Sequence, residues 1–295
     1  MNRSAAPSVA LPKPTRIELH ERATTAVYDS GAPTDHDRGQ PPVVLLHGWC
    51  VNAYVNFGAA YEALAKDHRV IMIDLRGHGL GADALDGFLL ETCVDDVLGV
   101  LDHLAVERAI IVGYSLGGAV AQLLARQAPD RMAGVVLAST TEFFCGYLSI
   151  RWQFRGLELC AAALKRLPSA LQKPVFHSIA TIACVRYPGW VRSEVLRNDP
   201  VAMLEAGASL GSFDSVGWVG ELEMPVAVVV TARDRVIPAD SQYRLADDTG
   251  AVLTITIDAD HDIPVRNDPR FAEALGEAIR AVSTARRPRQ LNLAD

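Results

Sequence analysis

One serine stands between two glycines at the spacing that suits a nucleophile on a tight strand-to-helix turn. The segment Gly113-Tyr-Ser115-Leu-Gly117 follows the apolar run Ile110–Val112 and precedes an amphipathic helical stretch. The flanking glycines let strand and helix approach closely, and the turn directs the serine Oγ into a cleft. Because such a pentapeptide also occurs in ordinary turns, the strand and helix signals around it carry the prediction that Ser115 is a nucleophile.

Attack by a serine on a carbonyl group places negative charge on the carbonyl oxygen, so the site needs N–H donors. The amide of Leu116 lies at the positive N-terminal end of the predicted helix. The apolar run Val43–Leu46 predicts a strand that ends in His47-Gly48, and glycine permits a loop that turns the amide of Trp49 inward. We predict an oxyanion hole formed by the backbone N–H groups of Trp49 and Leu116. The Trp49 indole is expected to wall the pocket and His47 to be a hydrogen-bonded structural residue.

Three motifs together resemble the α/β-hydrolase fold family. They are His47-Gly-Trp49 after one predicted strand, Asp74-Leu-Arg-Gly-His-Gly79 after the next, and Gly113-Tyr-Ser-Leu-Gly-Gly118. Within that family, the chain from about Val43 to Val282 is most similar to bacterial esterases and other carboxylic-ester hydrolases with a helical cap. The resemblance implies a mostly parallel central β-sheet flanked by helices. It also implies that Arg76 and His78 belong to a structural turn.

The order serine, acid, histidine along chains of this fold directs the search for a general base to the C-terminal half. Two histidines follow the serine. His177 lies in a helical segment, where we expect it to pack. His261 lies in a loop after the apolar run Leu253–Ile257, where the resemblance places the catalytic histidine. We predict His261 as the base, although the residue before it is Asp260 where the family usually has glycine.

The orienting acid is predicted to be Asp234. It follows the apolar run Val226–Val230 and begins a D-x-V-x-P pattern seen in the family. Asp214, at the end of the helical segment, and Asp240, interpreted as a helix cap, are the rivals. In this assignment the Asp234 carboxylate accepts one ring N–H of His261 and leaves the other nitrogen free to take the serine proton.

Short apolar runs without strict alternation are typical of strands buried on both faces of a parallel sheet. The runs are Val43–Leu46, Val70–Ile73, Ala109–Val112, Val135–Leu137, Val226–Val230 and Leu253–Ile257. Helical stretches lie between them, which predicts an α/β fold. Two earlier β-prone segments, Thr15–His20 and Thr25–Tyr28, precede a polar loop.

The strand and helix alternation fails between Thr141 and Asp214, where an aromatic-rich stretch has a helical pattern. We predict a helical cap, in which Phe144 and Trp152 are the candidates for contact with substrate and no substrate-binding residue is assigned. The expected organisation is an N-terminal tail with the first strands at 1–40, a core at 41–141 and 215–285, a cap at 142–214 and a polar tail at 286–295.

Three helix starts carry recognisable signals. Asp199-Pro200 and Asp268-Pro269 each place a capping residue before a proline at the first helical position. Thr92, with Asp95 three residues later, resembles a capping box.

Composition narrows the classes of partner. The net charge is -7 and the basic residues are dispersed, so nucleic acid is not expected to bind. The local basic cluster near Arg287 is interpreted as a solvated tail. No run of about 18 apolar residues predicts a membrane-spanning helix, and the proline-broken start does not predict a signal peptide.

The five cysteines are odd in number, lack a C-x-x-C pair and mostly have apolar neighbours, which favours buried thiols in a reduced, cytoplasmic setting. No metal-ligand spacing and no phosphate-binding glycine loop is present, so no metal or cofactor is predicted.

These features together predict a serine hydrolase that cleaves a carboxylic ester of a small, apolar acyl substrate through an acyl-enzyme. Acyl transfer, C–C bond hydrolysis and cofactor-free perhydrolysis or haloperoxidation use the same three residues and stay open. A different class, a ligand-binding or sensor protein with little turnover, is the other alternative. The sequence makes no prediction of oligomeric state.

Overall fold

The computed structural model describes residue 6 and residues 9–19, 23–31, 40–145 and 148–285, with the backbone alone at 148–153 and 183. In this part of the chain the strands are β1 (Thr15–Glu18), β2 (Thr24–Asp29), β3 (Val43–Leu46), β4 (Val70–Ile73), β5 (Ala109–Tyr114), β6 (Met132–Ala138), β7 (Val226–Thr231) and β8 (Leu253–Ile257). They form one sheet in the order β1-β2-β4-β3-β5-β6-β7-β8. The pairs β1–β2 and β2–β4 are antiparallel and the remaining pairs are parallel.

Helices cover both faces of the sheet. They are α1 (Ala53–Leu64), α2 (Leu90–His103), α3 (Leu116–Gln127), α4 (Leu148–Lys165), α5 (Ser169–Ala183), α6 (Gly189–Val195), α7 (Pro200–Ser212), α8 (Ala239–Asp248) and α9 (Pro269–Thr284). Alternate strand residues point to opposite faces. Leu45 packs in the core beside α1 and α9, whereas Leu46 packs in the core beside α2 and α3. The predicted fold class is confirmed.

Strand β8 was predicted to be buried on both faces, and the structure differs from this prediction. β8 alternates apolar and polar residues, and it exposes Thr254 and Thr256 while Ile257 is buried. The physical reason is its position, since β8 is the last strand at one edge of the sheet. An edge strand is less completely covered than the central strands, so half of its side chains reach water.

Two of the three predicted helix starts are confirmed. The Asp199 side chain accepts from the first-turn amides of α7, and the Asp268 side chain accepts from an amide of α9. The capping box at Thr92 is wrong, because α2 begins two residues earlier and the Thr92 hydroxyl donates to the Leu89 carbonyl. The amide of Leu90, at the start of α2, instead finds the Ser209 hydroxyl of α7 at 3.3 Å.

The predicted helical insertion corresponds to α4, α5, α6 and α7, which lie in sequence between β6 and β7. None of the helices described in the structure is long and apolar enough to cross a membrane. The five cysteines are free, and Cys160 is exposed, contrary to the expectation of burial. His20 and residues 286–295 lie outside the described residues.

Candidate active site

The turn that holds Ser115 joins β5 to α3 in a sparsely populated backbone conformation, with φ 54° and ψ -114°. Such a conformation costs a non-glycine residue on the order of 1–3 kcal/mol and is usually found where function requires it. A Cβ atom at Gly117 would lie 2.1 Å from the carbonyl oxygen of Leu46, and one at Gly113 would lie 2.3 Å from the carbonyl oxygen of Gly117. Both glycines are therefore required by the close approach of α3 to the sheet.

Three side chains from separate loops meet at the carboxyl ends of the parallel strands. The Oγ atom of Ser115 lies 3.1 Å from Nε2 of His261. The Nδ1 atom of His261 lies 2.7 Å from Oδ2 of Asp234. An ionised carboxylate only accepts, so Nδ1–H donates to Asp234 and the lone pair of Nε2 faces the serine hydroxyl. The structure thus brings all three sequence-predicted residues into one hydrogen-bonded chain.

Both oxygens of the Asp234 carboxylate accept several hydrogen bonds. Oδ1 accepts from the amides of Val236 and Ile237, each at 2.8 Å, and Oδ2 accepts from Thr231 Oγ1 at 2.7 Å as well as from His261. Burial alone would raise the pKa of Asp234, but the bonds from His261, the Ile237 amide and Thr231 outweigh it, and the pKa lies below its usual value. Asp234 is therefore ionised at neutral pH.

Two fully buried polar residues that the sequence reasoning missed support this carboxylate. Thr231 is the last residue of β7. Gln242 of α8 places Nε2 at 3.2 Å from Oδ2 of Asp234, and its Oε1 accepts from the Thr231 amide at 3.0 Å. The signal for Thr231 was a polar residue ending a run of apolar ones, three positions before the acid.

An ion pair between Asp260 and Arg235 stabilises the loop that holds His261. Asp260 accepts from the His261 amide at 2.8 Å and from Nε of Arg235 at 2.6 Å. Burial would raise the pKa of Asp260, but Arg235 and the backbone amides hold it below its usual value. The hydroxyl of Tyr114, the residue before the nucleophile, donates to the His261 carbonyl. An aspartate at the family's usual glycine position therefore anchors the loop, with its charge matched by Arg235.

The amides predicted to form an oxyanion hole belong to the turn of Ser115 and to the loop after β3. Leu116 is the first residue of α3, and a Cβ atom at Gly48 would lie 3.3 Å from the Cβ of Ser115, so the two loops are adjacent. The Gly48 amide donates to Oδ1 of Asn56 at 2.7 Å, which holds the loop. Within the described ranges, neither the Trp49 nor the Leu116 amide donates to another group of the chain. The role of these two amides as an oxyanion hole stays a prediction.

His47 is a structural residue, as expected. It is fully buried, its Nε2 accepts from the Leu75 amide at 2.9 Å, and its Nδ1 donates to the Gly48 carbonyl at 2.8 Å. Burial and the neighbouring imidazole of His78 hold the pKa of His47 well below its usual value. A neutral imidazole with both nitrogens occupied does not transfer protons to a substrate.

The turn after β4 is also structural. Arg76 forms an ion pair with Asp96 at 2.7 Å, and Nδ1 of His78 lies 2.9 Å from the Arg76 carbonyl oxygen. Asp74 accepts from the Ala53 amide at the start of α1. The role expected of Arg76 and His78 is confirmed by these contacts.

The sequence of this chain is similar to those of known hydrolases. A family model described as the alpha/beta hydrolase fold matches residues 41–199, more than half of the chain. The chain belongs to the alpha/beta hydrolase fold family. The 2-hydroxymuconate semialdehyde hydrolase of a Pseudomonas species is 36% identical over 88% of this chain and 92% of its own length. The pimeloyl-[acyl-carrier protein] methyl ester esterase of Nitrosomonas europaea is 29% identical over 68% of this chain and 79% of its own length.

Solved structures share the fold. The structure of a thermophilic esterase from Thermogutta terrifontis, with malate bound, is similar to this chain with a TM-score of 0.72. The likeness covers 92% of this chain and 100% of that chain at 23% identity. This identity supports the common hydrolase fold.

In this hydrolase fold, Ser115 faces a cavity of about 630 Å³, within the usual size range of small-molecule sites. Part of its wall is apolar. Trp49 contributes to it from the loop after β3, and residues 142–214 contribute Phe144, Phe154, Val191 and Leu210. The Trp49 indole is thus a pocket wall as expected, and its Nε1 donates to the Met203 carbonyl of α7 at 2.7 Å. Trp152, the second candidate for contact with substrate, lies in α4 with its side chain outside the described residues.

The alternative candidates for the base and the acid make contacts elsewhere in the structure. Nε2 of His177 lies 3.1 Å from the Leu196 carbonyl oxygen, which is a packing role inside the insertion. Asp214 accepts from the Val216 amide at 3.0 Å. Asp240 lies within the first turn of α8, whose N-cap is Pro238, so its interpretation as a cap is wrong. Among the described residues, no group of three or more His, Cys, Asp or Glu side chains could hold a metal ion.

Proposed function

We propose that this hydrolase cleaves a carboxylic ester, with Ser115 as nucleophile, His261 as general base and Asp234 as the acid that orients the histidine. The observation that carries the proposal is the hydrogen-bonded chain from Ser115 Oγ through His261 to Asp234, with distances of 3.1 and 2.7 Å. An ester suits these three residues, because its alcohol leaves readily once it is protonated.

In the proposed reaction, Nε2 of His261 takes the hydroxyl proton as Ser115 attacks the ester carbonyl. The oxyanion accepts from the Leu116 and Trp49 amides, neither of which donates to another group in the described part of the chain. The imidazolium, stabilised by Asp234, then protonates the departing alcohol and leaves an acyl-enzyme. Water activated by His261 hydrolyses this intermediate and regenerates the serine.

The cavity supports an apolar acyl substrate. Phe144 and Phe154 lie on its wall with Leu210 of α7, and such surfaces favour hydrocarbon over polar chains. We propose that residues 142–214 act as a cap that excludes water from the acyl group. Trp49 supports this role, because its indole bonds the core loop to α7.

Two measurements test the proposal. A fluorophosphonate probe should label Ser115 in the folded protein and should not label Ser115→Ala. The rate of hydrolysis of p-nitrophenyl esters should then depend on acyl length and should fall for acyl chains that are too long for the cavity. Folded protein that gives neither an adduct nor turnover would assign the chain to the binding or sensor class.

A second candidate is cleavage of a carbon–carbon bond beside a carbonyl group. The observation that favours it is the 36% identity to a relative named as a semialdehyde hydrolase, a name that contains no ester. The same serine and histidine would serve, but the departing group would be a carbon acid. Comparing kcat/KM for matched ester and β-diketone substrates with the same acyl group separates the two reactions.

A further inference from the structure

The cavity at Ser115 is lined by two groups of apolar residues that belong to different parts of the molecule. The first group packs with the main core beside α2 and α3, and its members are Trp49, Phe144, Phe154 and Leu210. The second group packs in a separate small cluster with α5 and α6, and we call it the Tyr187 wall. Its members are Val51, Cys184, Tyr187, Val191, Val195 and Val265. A substrate at Ser115 therefore meets a different surface on each side.

The Tyr187 wall lies beside the loop that holds His261. Val265 of this wall belongs to the same connection between β8 and α9 as His261. Asp262 raises the pKa of Arg266 in this connection, and Tyr187 is close enough to add to the effect. In the proposed reaction His261 protonates the departing alcohol, so the alcohol portion of the ester must lie on the His261 side. The alcohol portion is therefore expected to face the Tyr187 wall.

One charge at the cavity is left without a partner. The arginine and aspartate side chains that line the cavity are Arg186, Arg235, Asp260 and Asp262. Asp260 pairs with Arg235, and Asp262 pairs with Arg266. Arg186 forms no ion pair with any residue that the structure describes. The charges at the cavity are thus compensated except for one guanidinium group.

The Arg186 guanidinium is held in place by Tyr187, its neighbour in the turn between α5 and α6. Its Nη2 donates to the Tyr187 hydroxyl at 3.1 Å, and its Cζ lies 5.0 Å from the centre of the Tyr187 ring. Within the described ranges Arg186 donates no other hydrogen bond, so its remaining N–H groups can bind a ligand as a fork. The Tyr187 hydroxyl accepts from Arg186 and can donate its own hydrogen to the same ligand.

A second arginine makes the surroundings of the Tyr187 wall positive. Burial raises the pKa of Cys184, and Arg186 and Arg192 both act against this rise, so both cations lie near this thiol. In the described part of the chain Arg192 has no carboxylate partner either. The acid of the same helix, Glu194, already accepts from Asn52 and pairs with Arg197. The positive potential on this side of the cavity favours an anionic group of the substrate.

We propose that the substrate is an ester whose alcohol portion carries a carboxylate, and that Arg186 and Tyr187 bind this carboxylate. The assignment rests on the proposed ester hydrolysis, because the position of His261 defines the alcohol side. The planar fork of a guanidinium matches the geometry of a carboxylate. Hydrolysis by one water molecule would release an apolar carboxylic acid from Ser115 and a hydroxy acid from the Tyr187 wall.

Matched pairs of esters test this subsite. Butyrate esters of meta- and para-hydroxybenzoate carry the charge on the alcohol portion, whereas those of the corresponding hydroxybenzamides are neutral. Arg186→Gln should lower kcat/KM for the hydroxybenzoate esters, relative to the hydroxybenzamide esters, roughly five- to tenfold, since the ion pair is charge-assisted but partly exposed. The loss should be in KM, because the carboxylate is bound equally in the ground state and the transition state.

Two further variants serve as controls. Arg186→Lys should recover part of the preference for hydroxybenzoate esters, because it keeps the charge but loses the fork. Arg166→Gln is the matched control, since Arg166 is an exposed arginine of the insertion that bonds the Ala162 carbonyl and does not line the cavity. It should keep the preference of the unmodified chain.

Two outcomes overturn the proposal. The first is an Arg186→Gln variant with the same preference between the two classes of ester as the unmodified chain. The second is an Arg186→Gln variant that instead loses activity on mono-p-nitrophenyl glutarate relative to p-nitrophenyl butyrate. In that case Arg186 would bind a carboxylate on the acyl portion.

Binding measured without turnover separates failure of the subsite from failure of the proposed function. In Ser115→Ala, calorimetric titration should show tighter binding of the hydroxybenzoates than of the hydroxybenzamides, and Ser115→Ala/Arg186→Gln should lose this difference. Such binding without cleavage of any ester would refute the proposed ester hydrolysis and support carboxylate binding by Arg186. Cleavage of both classes of ester without a difference in binding would support the ester hydrolysis and refute the subsite.

Discussion

At the scale of single residues, the serine hydroxyl has no substitute within the site. Ser115→Ala removes the proposed nucleophile while Leu116 and Trp49 keep their amides. We expect kcat on a short p-nitrophenyl ester to fall on the order of 10⁶-fold, the loss typical of a serine nucleophile that acts as a unit with its base. The thermal unfolding midpoint serves as the control for folding. Retention of more than a few per cent of the activity would contradict the assignment of Ser115.

Thr231 is expected to act as a positioning residue through Asp234. Thr231→Val keeps the shape but removes the 2.7 Å hydrogen bond to Oδ2. A hydrogen bond to a charged group contributes about 1.5–3 kcal/mol, and Gln242 still donates to the same oxygen, so kcat should fall roughly tenfold. Because Thr231 does not line the cavity, KM should stay unchanged.

The conservative variant Thr231→Ser distinguishes positioning from packing. It restores the hydroxyl but lacks the methyl group, so it should recover kcat even where it unfolds at a lower temperature than Thr231→Val. If Thr231→Ser is as slow as Thr231→Val, the hydroxyl has no role in orienting Asp234.

At the scale of elements, the sequence predicted what backbone physics dictates locally. Runs of β-branched residues located the strands, and Asp199 and Asp268 located two helix starts. The prediction failed where a tertiary neighbour decided the outcome. The start of α2 depends on Ser209 of a helix more than a hundred residues later, and the exposure of β8 depends on its place at the sheet edge.

The residues of the site also divide into those that local sequence predicts and those that depend on tertiary contacts. Ser115, His261 and Asp234 each follow a strand, and parallel strands bring their carboxyl ends to one edge, so their meeting could be predicted. Gln242 could not be assigned to this site, because its contact with Asp234 requires the packing of α8 against β7. Thr231 differs, since it lies only three positions before the acid and ends the apolar run of β7.

Two glycines in helices should respond to alanine with opposite signs. At Gly117 of α3, a Cβ atom meets the rigid backbone of β3 at 2.1 Å, so Gly117→Ala should separate the helix from the sheet and cost at least about 3 kcal/mol. At Gly156 of α4, no atom of the described residues lies within 4 Å of the added carbon, and alanine is the better helix former. Gly156→Ala should therefore raise the free energy of unfolding by about 0.5–1 kcal/mol.

Urea unfolding of both variants beside the unmodified chain measures the two free energies. Gly156→Ala also serves as the matched control, since it adds the same methyl group to a helix. Equal stability of the two variants would show that α3 can move away from β3 at little cost.

At the scale of the whole molecule, the insertion leaves and re-enters the core at one place. Phe143 and Asp214 form an isolated antiparallel bridge, and the Ser215 amide donates to the Glu142 carbonyl at 2.9 Å. Asn198 then joins the insertion to two core loops, donating to the Cys50 carbonyl and accepting from an amide of the turn after β4. The insertion is therefore held to the core both at its root and through Asn198.

The root of the insertion carries a buried carboxyl group whose charge should make stability depend on pH. Burial, together with the Asp248 carboxyl group, raises the pKa of Glu142 from 4.5 to about 7, against the lowering effect of Arg244. A raised pKa in the folded state means that folding is favoured below the unfolded value of 4.5 and that this stability is lost as pH rises through about 7.

Glu142→Gln keeps the shape of the protonated side chain and should remove this dependence. At pH 8 the variant should be more stable than the unmodified chain by about 2 kcal/mol, and the difference should become small at pH 5 and vanish below about 4.5. Urea unfolding at both pH values measures it, with the exposed Glu107→Gln as a control whose difference should not change with pH. A Glu142→Gln variant that gains no stability at pH 8 relative to pH 5 would mean that the carboxylate at this joint is already solvated or paired when ionised.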